Sequence, residues 1–179
     1  MEASTPLEAI LDSARKEEMV KFLQDHPETF SEALDLAASD RPRYAWRAAW
    51  LLWSCIEPND DRIKGSIDRL IAAMPGKPDG HWRELMRIVS GMQLNDEQEG
   101  RLFEMAVKQW LEIDKQPSVR WMAFRFMADM VQKYPELAGE VKLVLRPNLV
   151  DPLSGGIRRL VTREAKKIHA IKSSFDDEF

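Results

Sequence analysis

The sequence predicts an all-α protein built as a right-handed superhelix of about four helix pairs, an α-solenoid. Three observations carry this. A helical unit recurs, with its clearest lines at Arg43-Tyr-Ala-Trp46-Arg47-Ala-Ala-Trp50, His81-Trp82-Arg83-Glu-Leu-Met-Arg87, Val119-Arg120-Trp121-Met-Ala-Phe-Arg125 and Ile157-Arg158-Arg159-Leu-Val-Thr-Arg163. Arg47, Arg87, Arg125 and Arg163 lie 40, 38 and 38 residues apart, the period of a stacked helix-pair repeat. Gly is scarce at 8 of 179 residues, and no segment alternates with period two between hairpin turns, so no strand is assigned.

The elements follow in order. Thr5 is placed to cap a first helix, with Pro6 at the first helical position and Glu8 closing a capping box; Leu7, Ile10, Leu11 and Ala14 supply its apolar face. A second helix over about 16–25 ends at His26, because Pro27 disfavours helix at the residue before it. A third runs over about 27–38. Asp40-Arg-Pro42 introduces a helix over 42–57, Pro58-Asn-Asp60 stops it, and 61–74 forms the next. Pro75-Gly-Lys-Pro-Asp-Gly80 is a loop ahead of helices at 81–92 and 96–114, with Asn95 and Gln98 set as a second capping box. Pro117 opens 118–133, and Tyr134-Pro135 closes it. Pro147 kinks or ends a helix over 136–149. Ser154-Gly-Gly156 leads into a last helix over 156–172. Residues 1–172 read as one domain and 173–179 as a short acidic tail.

A chain of 179 residues can bury a substantial core, and 44% hydrophobic with 31% charged residues is the balance of a globular protein. No run reaches the 18 or so apolar residues that span a bilayer, and the N-terminus lacks the basic and apolar regions of a signal peptide. The single Cys55, set among Leu52, Trp53 and Ile56, excludes an intrachain disulfide and reads as a buried, inert thiol. Together these place the protein in the cytoplasm, with no membrane partner.

The pattern Ser118-Val-Arg120-Trp-Met-Ala123 resembles the start of the second helix of a HEAT repeat, and Asp40-Arg-Pro-Arg43-Tyr-Ala45 and Asp79-Gly-His-Trp-Arg83 are looser versions of it. More closely, the chain resembles a group of small bacterial HEAT-like proteins common in Bacteroidetes. The match runs through Tyr44-Ala-Trp-Arg-Ala-Ala-Trp-Leu-Leu52, Arg83-Glu-Leu-Met-Arg-Ile88, Lys133-Tyr-Pro-Glu-Leu137 and Ser154-Gly-Gly-Ile-Arg-Arg159, and covers about residues 16–170. The resemblance implies a HEAT/armadillo-like α-α superhelix. It implies no activity and supplies no site residue.

Net charge is −4, but its distribution is uneven. Residues 1–40 hold three basic and ten acidic side chains, while segments 41–57, 81–92, 117–133 and 154–172 carry +2, +1, +2 and +5. Basic charge is thus concentrated on one helix of each pair, which predicts a basic concave face on an acidic protein. Arg43/Arg47, Arg83/Arg87 and Arg159/Arg163 are i,i+4 pairs, and Arg125 with Asp129 holds the same stripe in the third unit, where Arg120 lies off-face. This ladder reads either as a track for an acidic protein segment or phosphates, or as structure, with the arginines pairing with turn acids such as Asp40 and Asp79. Trp46, Trp50 and Trp53, at i, i+4 and i+7, are expected in the core, whereas Trp82 and Trp121 at helix starts are candidates for exposure.

The expected function is a non-enzymatic protein-interaction scaffold. The alternative is a nucleic-acid-binding protein of the DNA alkylation repair HEAT-like type, in which Asp129 holds the one position comparable to a catalytic aspartate; an i,i+4 ion pair with Arg125 accounts for it more simply. His26, His81 and His169 are far apart, no Cys/His spacing fits zinc, and no phosphate-binding or nucleophile motif occurs, so no catalytic residue, metal, cofactor or small-molecule substrate is expected.

Overall fold

The computed structural model describes residues 4–176, and the side chains of residues 4–170. Every regular element in that range is helical. The chain divides into two compact units, one ending at Gln98 and the other beginning at Glu99.

The first unit contains α1 (Pro6–Ser13), α2 (Lys16–Asp25), α3 (Phe30–Ala38, entered through a 3₁₀ turn at Pro27–Thr29), α4 (Ala45–Cys55), α5 (Asp61–Lys64), α6 (Ile67–Ala73) and α7 (Asp79–Ser90). Thr5 caps α1 by accepting the Glu8 N–H at 3.1 Å. The Glu8 carboxylate does not return to Thr5. It accepts the Ser4 N–H and hydroxyl, each at 2.8 Å, and pairs with Arg41 from the far side of α3. The box ahead of α8 (Asp96–Leu111) is complete: Asn95 N–H donates to Gln98 Oε1 at 3.1 Å and Gln98 N–H to Asn95 Oδ1 at 2.9 Å.

Some boundaries move from their expected places for local reasons. The helix expected from 42 starts at Ala45, after a turn over 42–44. The helix expected over 61–74 breaks at Gly65–Ser66, where the backbone turns between α5 and α6. Asn59 takes a left-handed conformation (φ 59°) in the turn before α5, and its N–H reaches Gly91 O at 3.0 Å.

The core of this unit lies where α4 packs between α3 and α7, with α2 also against α4 and α6 against α7. On α4 the interior side is Ala45, Ala48, Ala49, Leu51 and Leu52, all at most 2% exposed. Trp46 and Trp53, expected inside, are 42% and 41% exposed, and Trp50 is half-buried. α4 carries two stripes at helical spacing, and the alanine stripe takes the interior because small side chains let two neighbouring helices approach closely. Cys55 is half-buried rather than fully enclosed, and burial still raises its thiol above the ordinary cysteine range, so it stays protonated at neutral pH.

The second unit holds most of α8, then α9 (Pro117–Lys133), a 3₁₀ turn at Pro135–Leu137, α10 (Ala138–Leu143), α11 (Pro147–Val150) and α12 (Gly155–Asp176). The helix expected over 136–149 ends at Leu143, ahead of Pro147, which occupies the first position of α11. α9 packs on α12, with α10 against both. Val119, Ala123, Phe124, Met127 and Val131 of α9 and Val161 and Ile168 of α12 are buried. α12 extends to Asp176, so residues 173–176 of the expected tail are helical; residues 177–179 lie outside the described range.

Candidate functional site

The arginines of the first unit are engaged by the protein itself. Arg43, in the turn before α4, reaches back to α1, where its Nε donates to Asp12 Oδ1 at 2.5 Å and its terminal nitrogen to Oδ2. That pairing holds the Asp12 carboxyl below the usual aspartate range. Arg47 is half-buried; its Nη2 donates to Ala14 O at 2.7 Å and lies 3.3 Å from Met19 Sδ, while its Nε is buried without a partner. Neither arginine uses Asp40, which pairs with Lys77 across the two loops.

On α7 the arginines converge on an acid between them. Glu84 is fully buried. Arg83 donates to Glu84 Oε1 from Nε at 3.0 Å and from Nη2 at 2.8 Å, and Arg87 Nη1 donates to Oε2 at 3.1 Å. Trp82 does not reach solvent: it is 2% exposed, because with Leu85, Met86 and Val89 it forms the apolar stripe of α7. His81 is also buried, and its Nε2 donates to Ala37 O of α3 at 2.8 Å. Desolvation lowers its pKa below the ordinary histidine value, so at neutral pH it is an uncharged tie between α7 and α3.

The second unit differs in how its charge is disposed. Arg120 is 1% exposed and has no carboxylate partner among the described residues. Its Nε donates to Trp110 O at 3.1 Å, its Nη2 to Leu149 O at 2.5 Å, and its guanidinium lies 4.7 Å from the Trp110 ring centroid. It joins α8, α9 and α11 from inside. Trp121 is half-buried, 6.4 Å from Phe124. Arg125 is exposed and only 4.0 Å from the exposed Asp129 carboxylate.

Along α12, Arg158, Arg159, Thr162, Arg163 and Lys166 share a face away from the buried Val161 and Ile168. They line a shallow groove of about 300 Å³. Arg158 donates to the carbonyls of Asp151 and Leu153, and Arg163 Nε to Glu164 at 3.1 Å, a carboxylate that Lys167 shares at 2.8 Å. Arg159 and Lys166 are exposed, with no intramolecular acidic partner among the described residues. The groove concentrates four cations, two of them uncommitted.

Among the described residues, no three His, Cys, Asp or Glu side chains converge as a metal site, and no helix is long and apolar enough to cross a membrane. Comparison with curated proteins and with solved structures returns no match. The helix-pair architecture has a direct counterpart at the level of family: the HEAT repeat domain model matches residues 4–168, nearly the whole length, and the chain belongs to that family.

Proposed function

We propose that the protein is a non-enzymatic interaction scaffold that receives an acidic segment of a partner protein on the basic face of α12. HEAT repeats generally serve as protein-interaction scaffolds, which supports the class. The observation that carries the specific reading is the α12 groove, where Arg159 and Lys166 stand beside Arg158 and Arg163 without acids of their own. Arginine forks recognise carboxylates in bidentate geometry, and a groove that gathers like charge attracts the opposite charge more strongly than a scattered surface does. The arginines of α4 and α7 serve chiefly to hold the fold, since Asp12, Ala14 O and Glu84 occupy them.

The test is fluorescence anisotropy with a labelled aspartate-rich peptide, against its lysine-rich counterpart and single-stranded and duplex DNA of equal length, over a salt series. The expected result is saturable binding of the acidic peptide that Arg159→Glu with Lys166→Glu abolishes. Binding of DNA with a steep salt slope and no binding of the peptide would assign the groove to a polyanion instead. Indifference of the peptide to the double variant would remove the groove from the function.

A further inference from the structure

The first unit carries a second feature that the α12 reading leaves unused. A cavity of about 400 Å³ opens between the loop before α4 and the loop before α7, in the size range of sites that take small ligands or single side chains. Pro42, Ala45, Trp46, Gly76, Pro78 and Gly80 make most of its wall. Its charged groups are already satisfied: Lys77 bonds Ser39 O at 2.7 Å and pairs with Asp40, and His81 is tied to Ala37 O. What the cavity offers is apolar surface.

Trp46 is its distinctive wall. The indole lies so close to the start of α7 that a Cβ on Gly80 would stand 3.2 Å from its Nε1, so a glycine there makes room for the ring. Trp46 is nonetheless 42% exposed, and its indole N–H has no hydrogen-bond partner among the described residues. From this wall the aromatic stripe continues along α4 through Trp50 to Trp53. Seven residues of helix cover about 10 Å, which an extended peptide spans in roughly three residues.

Two cations lie against the stripe. The Lys16 ammonium lies 5.6 Å from the Trp50 ring centroid, and the Arg87 guanidinium lies 5.6 Å from that of Trp53. Arg87 is tied to Glu84, whereas Lys16 is exposed. A neutral, apolar cavity at one end and cations at the other select an occupant that is apolar first and acidic next.

We infer that the Trp46 cavity and the Trp46–Trp50–Trp53 stripe are a docking site for an acidic segment of a partner protein that seats one aliphatic or aromatic side chain in the cavity and directs a carboxylate to the exposed Lys16. Large rigid aromatics beside a preformed cavity are the usual anchors of such contacts, and the unpaired indole N–H is a donor for the segment's backbone carbonyl. The inference rests on the scaffold reading only in that the occupant is again a protein segment, since the residues involved are all different.

The experiment follows the indole N–H signals of the six tryptophans in the ¹⁵N-labelled full chain, assigned through single Trp→Phe variants. The probes are an acidic peptide with one central leucine, its leucine-to-alanine form and its aspartate-to-lysine form. The leucine peptide should shift the signals of Trp46, Trp50 and Trp53 and leave those of the buried Trp82 and Trp110 in place. Loss of the leucine should weaken binding about tenfold or more. Lys16→Glu, an exposed change that leaves the Arg87–Glu84 pair intact, should weaken it too, whereas Arg159→Glu with Lys166→Glu should not. Three results would each overturn the inference: no shift of these signals at saturating peptide, equal binding of the lysine form, or shifts that vanish only with the α12 variant. The last would leave the α12 reading standing. Shifts produced by dilution alone, or by single-stranded DNA in preference to the peptide, would reassign the surface to a second copy of the chain or to bases.

Discussion

Arg120 offers the sharpest test of how the second unit is held. A guanidinium at 1% exposure with no carboxylate partner among the described residues is tolerated because two carbonyls, of Trp110 and Leu149, and the Trp110 ring take up its donors and its face. Arg120→Ala leaves both carbonyls without that donor in the interior, at about 1–3 kcal/mol each. Removing a buried cation returns part of this as relieved desolvation, so the net loss is about 2–4 kcal/mol. For a chain of this length each kcal/mol moves the melting temperature by about 2–4 °C, which gives a fall of roughly 5–15 °C by differential scanning calorimetry. Arg120→Lys keeps the charge and reaches one carbonyl, so it should fall about half as far. Arg120→Met restores the stem's volume without donors and separates packing from hydrogen bonding. The reasoning is refuted if Arg120→Met melts with the parent protein, for then the carbonyls do not need the guanidinium.

Other outcomes follow from the same contacts. Arg87→Ala strips one donor from the fully buried Glu84 and should lower the melting temperature by several degrees, while Arg125→Ala, exposed and 4.0 Å from its acid, should move it by less than about 2 °C. The Glu8 carboxyl is held at about 2, against an ordinary 4.5, chiefly by the Arg41 hydrogen bond and then by Ser4. Because the folded value is the lower one, Glu8 contributes stability that is complete above about pH 4.5 and disappears as pH falls toward 2. Urea midpoints measured across that window should fall less steeply in Glu8→Gln. Gly80→Ala should shift the Trp46 indole signal while changing stability by less than about 1 kcal/mol, since the alanine's helix propensity offsets the displaced, surface-lying ring; a large loss of stability would mean that Trp46 cannot move.

Period and punctuation made the helices legible. The roughly 40-residue spacing, the prolines at 27, 117, 135 and 147 and the Asn95–Gln98 box all sit where the structure uses them. The side each helix buries was less legible. α4 has apolar residues at 45, 48, 49 and 52 and aromatic ones at 46, 50 and 53, two stripes of the same period. Hydrophobicity alone favours the tryptophans as the core. Close approach by both α3 and α7 favours the alanines, and the local sequence does not say that a helix will have two such neighbours. On α7 only one stripe exists, and Trp82 is part of it.

The site was legible through charge more than through the arginines taken singly. Matching Arg43, Arg83 and Arg159 by position suggests equivalence, yet the acids around them differ. Residues 1–40 bring seven excess negative charges, and Asp12 and Glu8 of α1 turn toward Arg43 and Arg41. α7 carries Glu84 between its own arginines, one residue after Arg83 and three before Arg87, a signal that was present in the sequence and outweighed by the arginine spacing. Among its described residues α12 has one acid, the half-buried Glu164, for the five basic side chains Arg158, Arg159, Arg163, Lys166 and Lys167. Its positive charge is left over because no acidic helix faces the groove among the described contacts, and that surplus, rather than the repeat of arginine, is what distinguishes a surface able to take a ligand from one already satisfied by the fold.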